Sequence, residues 1–227
     1  MKVTWLGQAG LLLKTEGVTI IVDPYLSYAV DKINEKMVRR YAPNEEYLNL
    51  TPDVILLTHD HIDHTDPETL KYYLKDGEVT VLASRSAYGI AKAFGGEHNY
   101  VMMTPHSVWS TGGVTIYSVR AAHSDEGAVG FIIDDGEVTY YISGDTVYNF
   151  EVIDDVLDLV EDGVDFAFLP INGRGCNMNA RDAADFAYEI GAKAAIPLHY
   201  GLYDEVDPDN FDFDDRRILP LFEEVEL

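Results

Sequence analysis

The stretch "DVILLTHDHIDH" runs four consecutive apolar residues, Val54 to Leu57, directly into three histidines and two aspartates. An unbroken apolar run this short predicts a strand buried on both faces, the kind found inside layered α/β sheets. The polar burst that follows is then fixed at the end of a rigid element. Similar short β-rich runs recur along the chain: "KVTWL", "GLLLKT", "VTIIVD", "EVTVLAS", "GVTIYSVRA", "AVGFIIDD", "EVTYYISGD", "DFAFLPI" and "AAIPLH". Helical stretches are interleaved with them, "DPETLKYYLK" behind an Asp cap, "SAYGIAKAFG" closed by Gly, then "FEVIDDVLDLVED" and "NARDAADFAYEIG". Asp135-Gly136 predicts a hairpin turn. Together these predict a layered α/β protein whose strand ends carry the site. With no Pro-, Gly- or Ser-rich linker and no fixed repeat, residues 1–227 are expected to form a single domain. Residues 24–50 break the pattern and carry Lys32, Lys36, Arg39 and Arg40, which predicts either a lid over the site or a partly helical surface excursion with solvated cations.

Composition narrows the function. Forty Asp and Glu against 16 Lys and Arg give a formal charge of −24. Such a surface repels phosphate backbones and anionic lipid, so neither nucleic acid nor membrane is expected as a partner. It also suggests salt tolerance. One cysteine, Cys176, excludes an intramolecular disulfide framework and fits a reducing compartment. No signal-like start precedes "MKVTWLG" and no apolar run reaches membrane-spanning length, so a cytoplasmic location is expected.

Within the H-x-H-x-D-H stretch, His59, His61, Asp63 and His64 offer the imidazole and carboxylate donors that suit zinc, manganese and iron. Three further donors each follow an apolar strand: His123 in "AAHSDE", Asp145 in "SGDT" and His199 in "IPLHYG". His98 and His106 are read as ordinary surface or loop residues. Asp23, in "IVDP", is either a strand-ending turn or the acceptor that orients a ligand histidine.

Taken together, "THDHIDH", His123, Asp145 and His199 resemble the motifs of the metallo-β-lactamase-fold hydrolase superfamily. The resemblance runs through nearly the whole chain and implies a four-layer αββα sandwich with a dinuclear metal site. By that pattern His59, His61 and His123 hold one metal, Asp63, His64 and His199 hold the other, and Asp145 bridges them. Two divalent ions, zinc or manganese with iron also compatible, are the implied cofactors. "WLGQAGLLL", "DPYLS", "HDHIDHTDPETL", "AAHSDEGAVGF", "SGDTVY", "PINGRGCNMNARDAA" and "IPLHYG" are most similar to the L-ascorbate 6-phosphate lactonase branch.

Two ions roughly 3.5 to 4 Å apart lower the pKa of a bridging water and polarise a carbonyl or phosphoryl oxygen. The expected nucleophile is therefore hydroxide, with Asp63 and Asp145 as the catalytic carboxylates. Asn172, Arg174, Asn177 and Asn179 lie before a predicted helix and are candidate substrate contacts, with Arg174 suited to clamp an anion. The function expected is hydrolysis of a small anionic metabolite, a lactone or phosphorylated sugar acid, by a monomer or homo-oligomer. A phosphodiesterase of the same fold and a non-catalytic metal-binding module are the alternatives.

Overall fold

A computed structural model describes residues 1–160 and 162–227. The chain divides into two compact units, each built on its own sheet.

The first unit comprises residues 1–103, 201–203 and 219–227. Its strands are β1 (Lys2–Gly7), β2 (Gly10–Lys14), β3 (Thr19–Val22), β4 (Val54–Leu57), β5 (Thr80–Ala83) and β6 (Asn99–Met102). The chain's last strand, β13 (Glu224–Glu226), adds at the β1 edge, giving the order β13-β1-β2-β3-β4-β5-β6. Pairing is antiparallel from β13 to β3 and parallel from β3 to β6. All four residues of β4 are at most 1% exposed, so both faces are covered, as its apolar run demands. Helices α1 (Ala29–Ile33), α2 (Pro67–Tyr73) and α3 (Arg85–Lys92) belong to this unit, and Leu70, Ala87 and Ala91 bury their side chains against Ile55, Leu57, Val81 and Ala83. Asp66 caps α2 and Ser84 caps α3, each accepting from a backbone N–H of the first turn.

Residues 104–200 and 204–218 form the second unit. Its strands are β7 (Val108–Thr111), β8 (Val114–Arg120), β9 (Val129–Asp134), β10 (Thr139–Ile142), β11 (Phe166–Pro170) and β12 (Ala194–Leu198), in the order β12-β11-β10-β9-β8-β7. Antiparallel pairing from β7 to β10 again gives way to parallel pairing from β10 to β12. Helices α4 (Phe150–Leu157) and α5 (Ala180–Glu189) complete it. In this arrangement β8, β10, β11 and β12 all run the same way, so the loops after them leave one edge of the sheet.

Several expectations change. The helix expected over 150–162 ends at Leu157. Two strands were not anticipated. β7 is an edge strand whose exposure alternates, and β13 lies in the acidic tail, held by Lys2 Nζ at 2.8 Å and Lys14 Nζ at 3.5 Å from Glu224. In the 24–50 segment, Arg39 is not the solvated cation expected of a surface excursion. It is buried, donates to the carbonyls of Tyr25, Ser27 and Tyr41, and stacks 4.7 Å from the Tyr25 ring centroid. Lys32 is spent on Glu68, at 2.6 Å.

Candidate metal centre

In the first unit the donors are organised by the neighbouring ends of β3 and β4. These strands are parallel, with Val22 opposite Leu56, so Asp23 and Thr58 emerge side by side. The Thr58 N–H donates to Asp23 Oδ1 at 2.8 Å, and its hydroxyl donates to Asp23 Oδ2. Beyond Thr58 the chain folds back: the N–H groups of His64 and Thr65 donate to the His61 carbonyl, and the Thr65 hydroxyl to that of His59. This turn gathers three imidazoles, with the His59 ring centroid 4.6 Å from that of His61 and 4.1 Å from that of His64.

Hydrogen bonds set the tautomers. His64 Nδ1 lies 2.7 Å from Asp23 Oδ2, both groups buried, so the proton sits on Nδ1 and the lone pair on Nε2. His59 Nδ1 lies 3.0 Å from the Thr58 hydroxyl, whose own proton is given to Asp23. One carboxylate thus orients two histidines, directly and through a hydroxyl, as outer partners of metal ligands do. Although the ligand atoms of Asp23, His59 and His64 lie within 4.8 Å of one another, Asp23 is already engaged by Thr58 and His64. Asp63 accepts from the side chain of Gln8, with Nε2 2.8 Å from Oδ2.

The second unit supplies a carboxylate between two imidazoles. Asp145 leaves the end of β10 and is 5% exposed. His123 Nε2 is 3.9 Å from its Oδ2 and His199 Nε2 is 3.4 Å from its Oδ1. Two ligands each about 2.0 to 2.2 Å from a tetrahedral ion stand roughly 3.3 to 3.6 Å apart. The His199 spacing falls in that range and the His123 spacing lies about 0.3 Å above it, both longer than a good hydrogen bond. His123 Nδ1 lies 3.1 Å from the Cys176 carbonyl, which fixes its proton there. His199 Nδ1 lies 2.9 Å from the Asn172 amide nitrogen. A metal on His199 Nε2 puts a proton on Nδ1, and the Asn172 amide would then turn its oxygen toward it. The loops are cross-braced: Thr146 Oγ1 accepts from the Ala122 N–H, Val147 N–H donates to the Ala122 carbonyl, and Met178 N–H donates to that of Thr146.

The four expected substrate contacts have different fates. Asn172 is held against His199. Asn179 caps α5, accepting from the N–H groups of Arg181 and Asp182, which accounts for it as a helix start. Arg174 is exposed. Asn177 is buried, and its Oδ1 has no hydrogen-bond partner among the described residues. His98 bridges the Leu74 carbonyl and the Val79 N–H, a structural clasp, and His106 is exposed with Nε2 3.6 Å from Asp155. Sequence reasoning missed Gln8, Thr58 and the Cys176 carbonyl. An amide, a hydroxyl and a backbone oxygen carry no ligand signature.

The donor set is all imidazole and carboxylate, and the Nδ1 atoms of His59, His64, His123 and His199 are engaged, which fits divalent metal. A profile described as "Beta-lactamase superfamily domain" matches residues 2–199. A UPF0173 protein of Pyrococcus abyssi is 30% identical over 205 residues, 89% of this chain and 85% of its own. A UPF0173 metal-dependent hydrolase of Pyrobaculum islandicum is 29% identical over 221 residues, covering 95% and 91%. Among solved structures, the metallo hydrolase Igni18 of Ignicoccus hospitalis superposes with a TM-score of 0.79 at 22% identity, covering 99% of this chain and 97% of that one.

Proposed function

Because this chain belongs to the β-lactamase superfamily and, within it, to the UPF0173 metal-dependent hydrolases, we propose that its donor sets serve one dinuclear centre that hydrolyses a small anionic metabolite. The two units then act as a single domain over residues 1–227, a reading supported by one family match that runs through both. The observation that carries the proposal is the approach of two imidazole Nε2 atoms to the Asp145 carboxylate at 3.4 and 3.9 Å, with the opposite ring nitrogens already engaged.

His59, His61 and His123 would hold one ion, Asp63, His64 and His199 the other, and Asp145 both. Such a pair, zinc or manganese, supplies an acidified water and a Lewis acid for the substrate oxygen. The chain's own groups do the rest. Asp23 keeps the His64 lone pair outward and the Cys176 carbonyl does the same for His123. Asp63, besides ligating metal, would help handle the proton of the attacking water. Arg174, exposed on the loop after β11, is the cation offered to an anionic group, in a protein whose charge otherwise repels one. A lactone or phosphorylated sugar acid meets these requirements. The reading implies a small-molecule partner in the cytoplasm and no nucleic-acid or membrane role; no helix among the described residues is long and apolar enough to cross a membrane.

The test pairs elemental analysis with hydrolysis of a lactone panel and of bis(p-nitrophenyl) phosphate, before and after Asp145→Ala. We expect about two metals per chain, lactone turnover, and a loss of at least about 100-fold in the variant. Faster turnover of the phosphodiester would select the phosphodiesterase alternative. Metal without turnover of either class would favour a non-catalytic metal-binding module.

A further inference from the structure

Six non-glycine residues among those described adopt positive φ: Gln8, Asp23, His106, Cys176, His199 and Phe222. A side chain in this region costs about 1 kcal/mol or more, and such strain persists where the surrounding structure enforces it. Three of the six belong to the candidate centre. Asp23 grips His64, the Cys176 carbonyl grips His123, and His199 is itself a candidate ligand. Gln8 shares the trait and grips Asp63.

The turn that carries Gln8 is firmly built. It joins β1 to β2 through an irregular register between Trp5 and Gly7, and the Trp5 indole N–H donates to the Gln8 carbonyl at 2.9 Å. Gln8 is only 3% exposed, and its amide reaches across 55 residues of sequence to Asp63 Oδ2. A buried primary amide needs partners for its donors, and here one is given to a carboxylate rather than to the backbone around it.

We infer that Gln8 is a positioning residue for Asp63: its side-chain amide holds one carboxylate oxygen and so sets the orientation in which Asp63 meets a metal. The inference rests on the reading of Asp63 as a metal ligand. It assigns Gln8 the role that Asp23 plays for His64, with the partner a carboxylate instead of an imidazole. A carboxylate tethered at one oxygen loses the freedom to rotate, so it meets an ion with its geometry already set. Partners of this kind are worth about 10- to 100-fold in metal affinity.

Gln8→Leu removes the donor at nearly constant volume, and Gln8→Asn keeps an amide that falls one methylene short while tolerating positive φ better than glutamine. Each would be purified metal-free and titrated with zinc against a chromophoric chelator. The readouts are binding of each equivalent, the visible spectrum of the cobalt form, and the melting temperature of the metal-free protein. We expect Gln8→Asn to melt within a few degrees of the parent and to bind one equivalent about 10- to 100-fold more weakly, with the other unchanged. The cobalt spectrum of the weakened site should change with it. A folded Gln8→Asn that binds both equivalents as tightly as the parent would overturn the inference while leaving the hydrolase reading intact. So would a variant whose only change is a lower melting temperature. A parent chain that binds no zinc or cobalt would instead overturn the hydrolase reading and the inference with it. If Gln8→Leu fails to fold, Gln8→Asn decides alone.

Discussion

Asp165 shows how a single side chain ties stability to pH. It accepts from Lys193 Nζ at 2.6 Å and from the N–H and hydroxyl of Thr139 at 2.8 and 3.0 Å. Desolvation pushes its pKa upward, but the bonds from Lys193 and Thr139 outweigh it and hold the carboxyl below its ordinary 3.8. A depressed folded value means the stabilisation is present above the unfolded pKa and is lost as pH falls through the folded one. Asp165→Asn should therefore cost about 1 to 3 kcal/mol at pH 7 in urea melts, and the gap should narrow below pH 4. A gap that is constant with pH would count against the ionised carboxylate. At this scale the donors of the candidate centre were legible, because His and Asp at strand ends have few other reasons to cluster. Their grips were not. Gln8 and Asn172 are common amides whose partners lie 55 and 27 residues away, and the Cys176 contribution is a carbonyl that any residue would supply.

Among elements, the segment between β3 and β4 depends on one buried cation more than on its own secondary structure. Arg39 satisfies the carbonyls of Tyr25, Ser27 and Tyr41, while its backbone N–H donates to Asp31 and the Arg40 N–H donates to the Leu202 carbonyl. Arg39→Met keeps much of the aliphatic stem and strips these carbonyls of their donor. It should cost about 2 to 4 kcal/mol, and the amides of Val30 and Arg40 should exchange faster in deuterium oxide. Unchanged exchange there would show that the segment is held by its apolar contacts instead. The sequence suggested this stretch was exceptional but placed the cation wrongly, since charge alone does not reveal that three carbonyls and a tyrosine face await it. Strands differed in the same way. β4 was plain from its apolar run, whereas β7 is an edge strand with an exposed alternate face, joined to β8 by the Gly112-Gly113 turn, and β13 is a three-residue strand whose partner, β1, lies at the other end of the chain.

For the molecule as a whole, the charge of −24 should dominate its response to salt. Screening shortens the reach of this self-repulsion to about 10 Å at 0.1 M and about 3 Å at 1 M. Raising sodium chloride across that range should raise the melting temperature, and should raise kcat/KM for an anionic substrate while leaving a neutral ester nearly unaffected. A melting temperature that falls with salt would mean that attractive pairs such as Lys2–Glu224 outweigh the net repulsion. Composition made this property readable, but no local pattern showed that each sheet would be antiparallel on one side and parallel on the other. The strained backbone at Gln8, Asp23 and His199 carries a consequence for anyone engineering the protein. Glycine would relax the main chain at each, yet it would delete the side chain in use, so selection for heat resistance alone drifts toward an inert scaffold. Cys176 differs, because what it offers His123 is its carbonyl. There glycine would relieve the backbone, keep the contact and remove the chain's only oxidisable thiol.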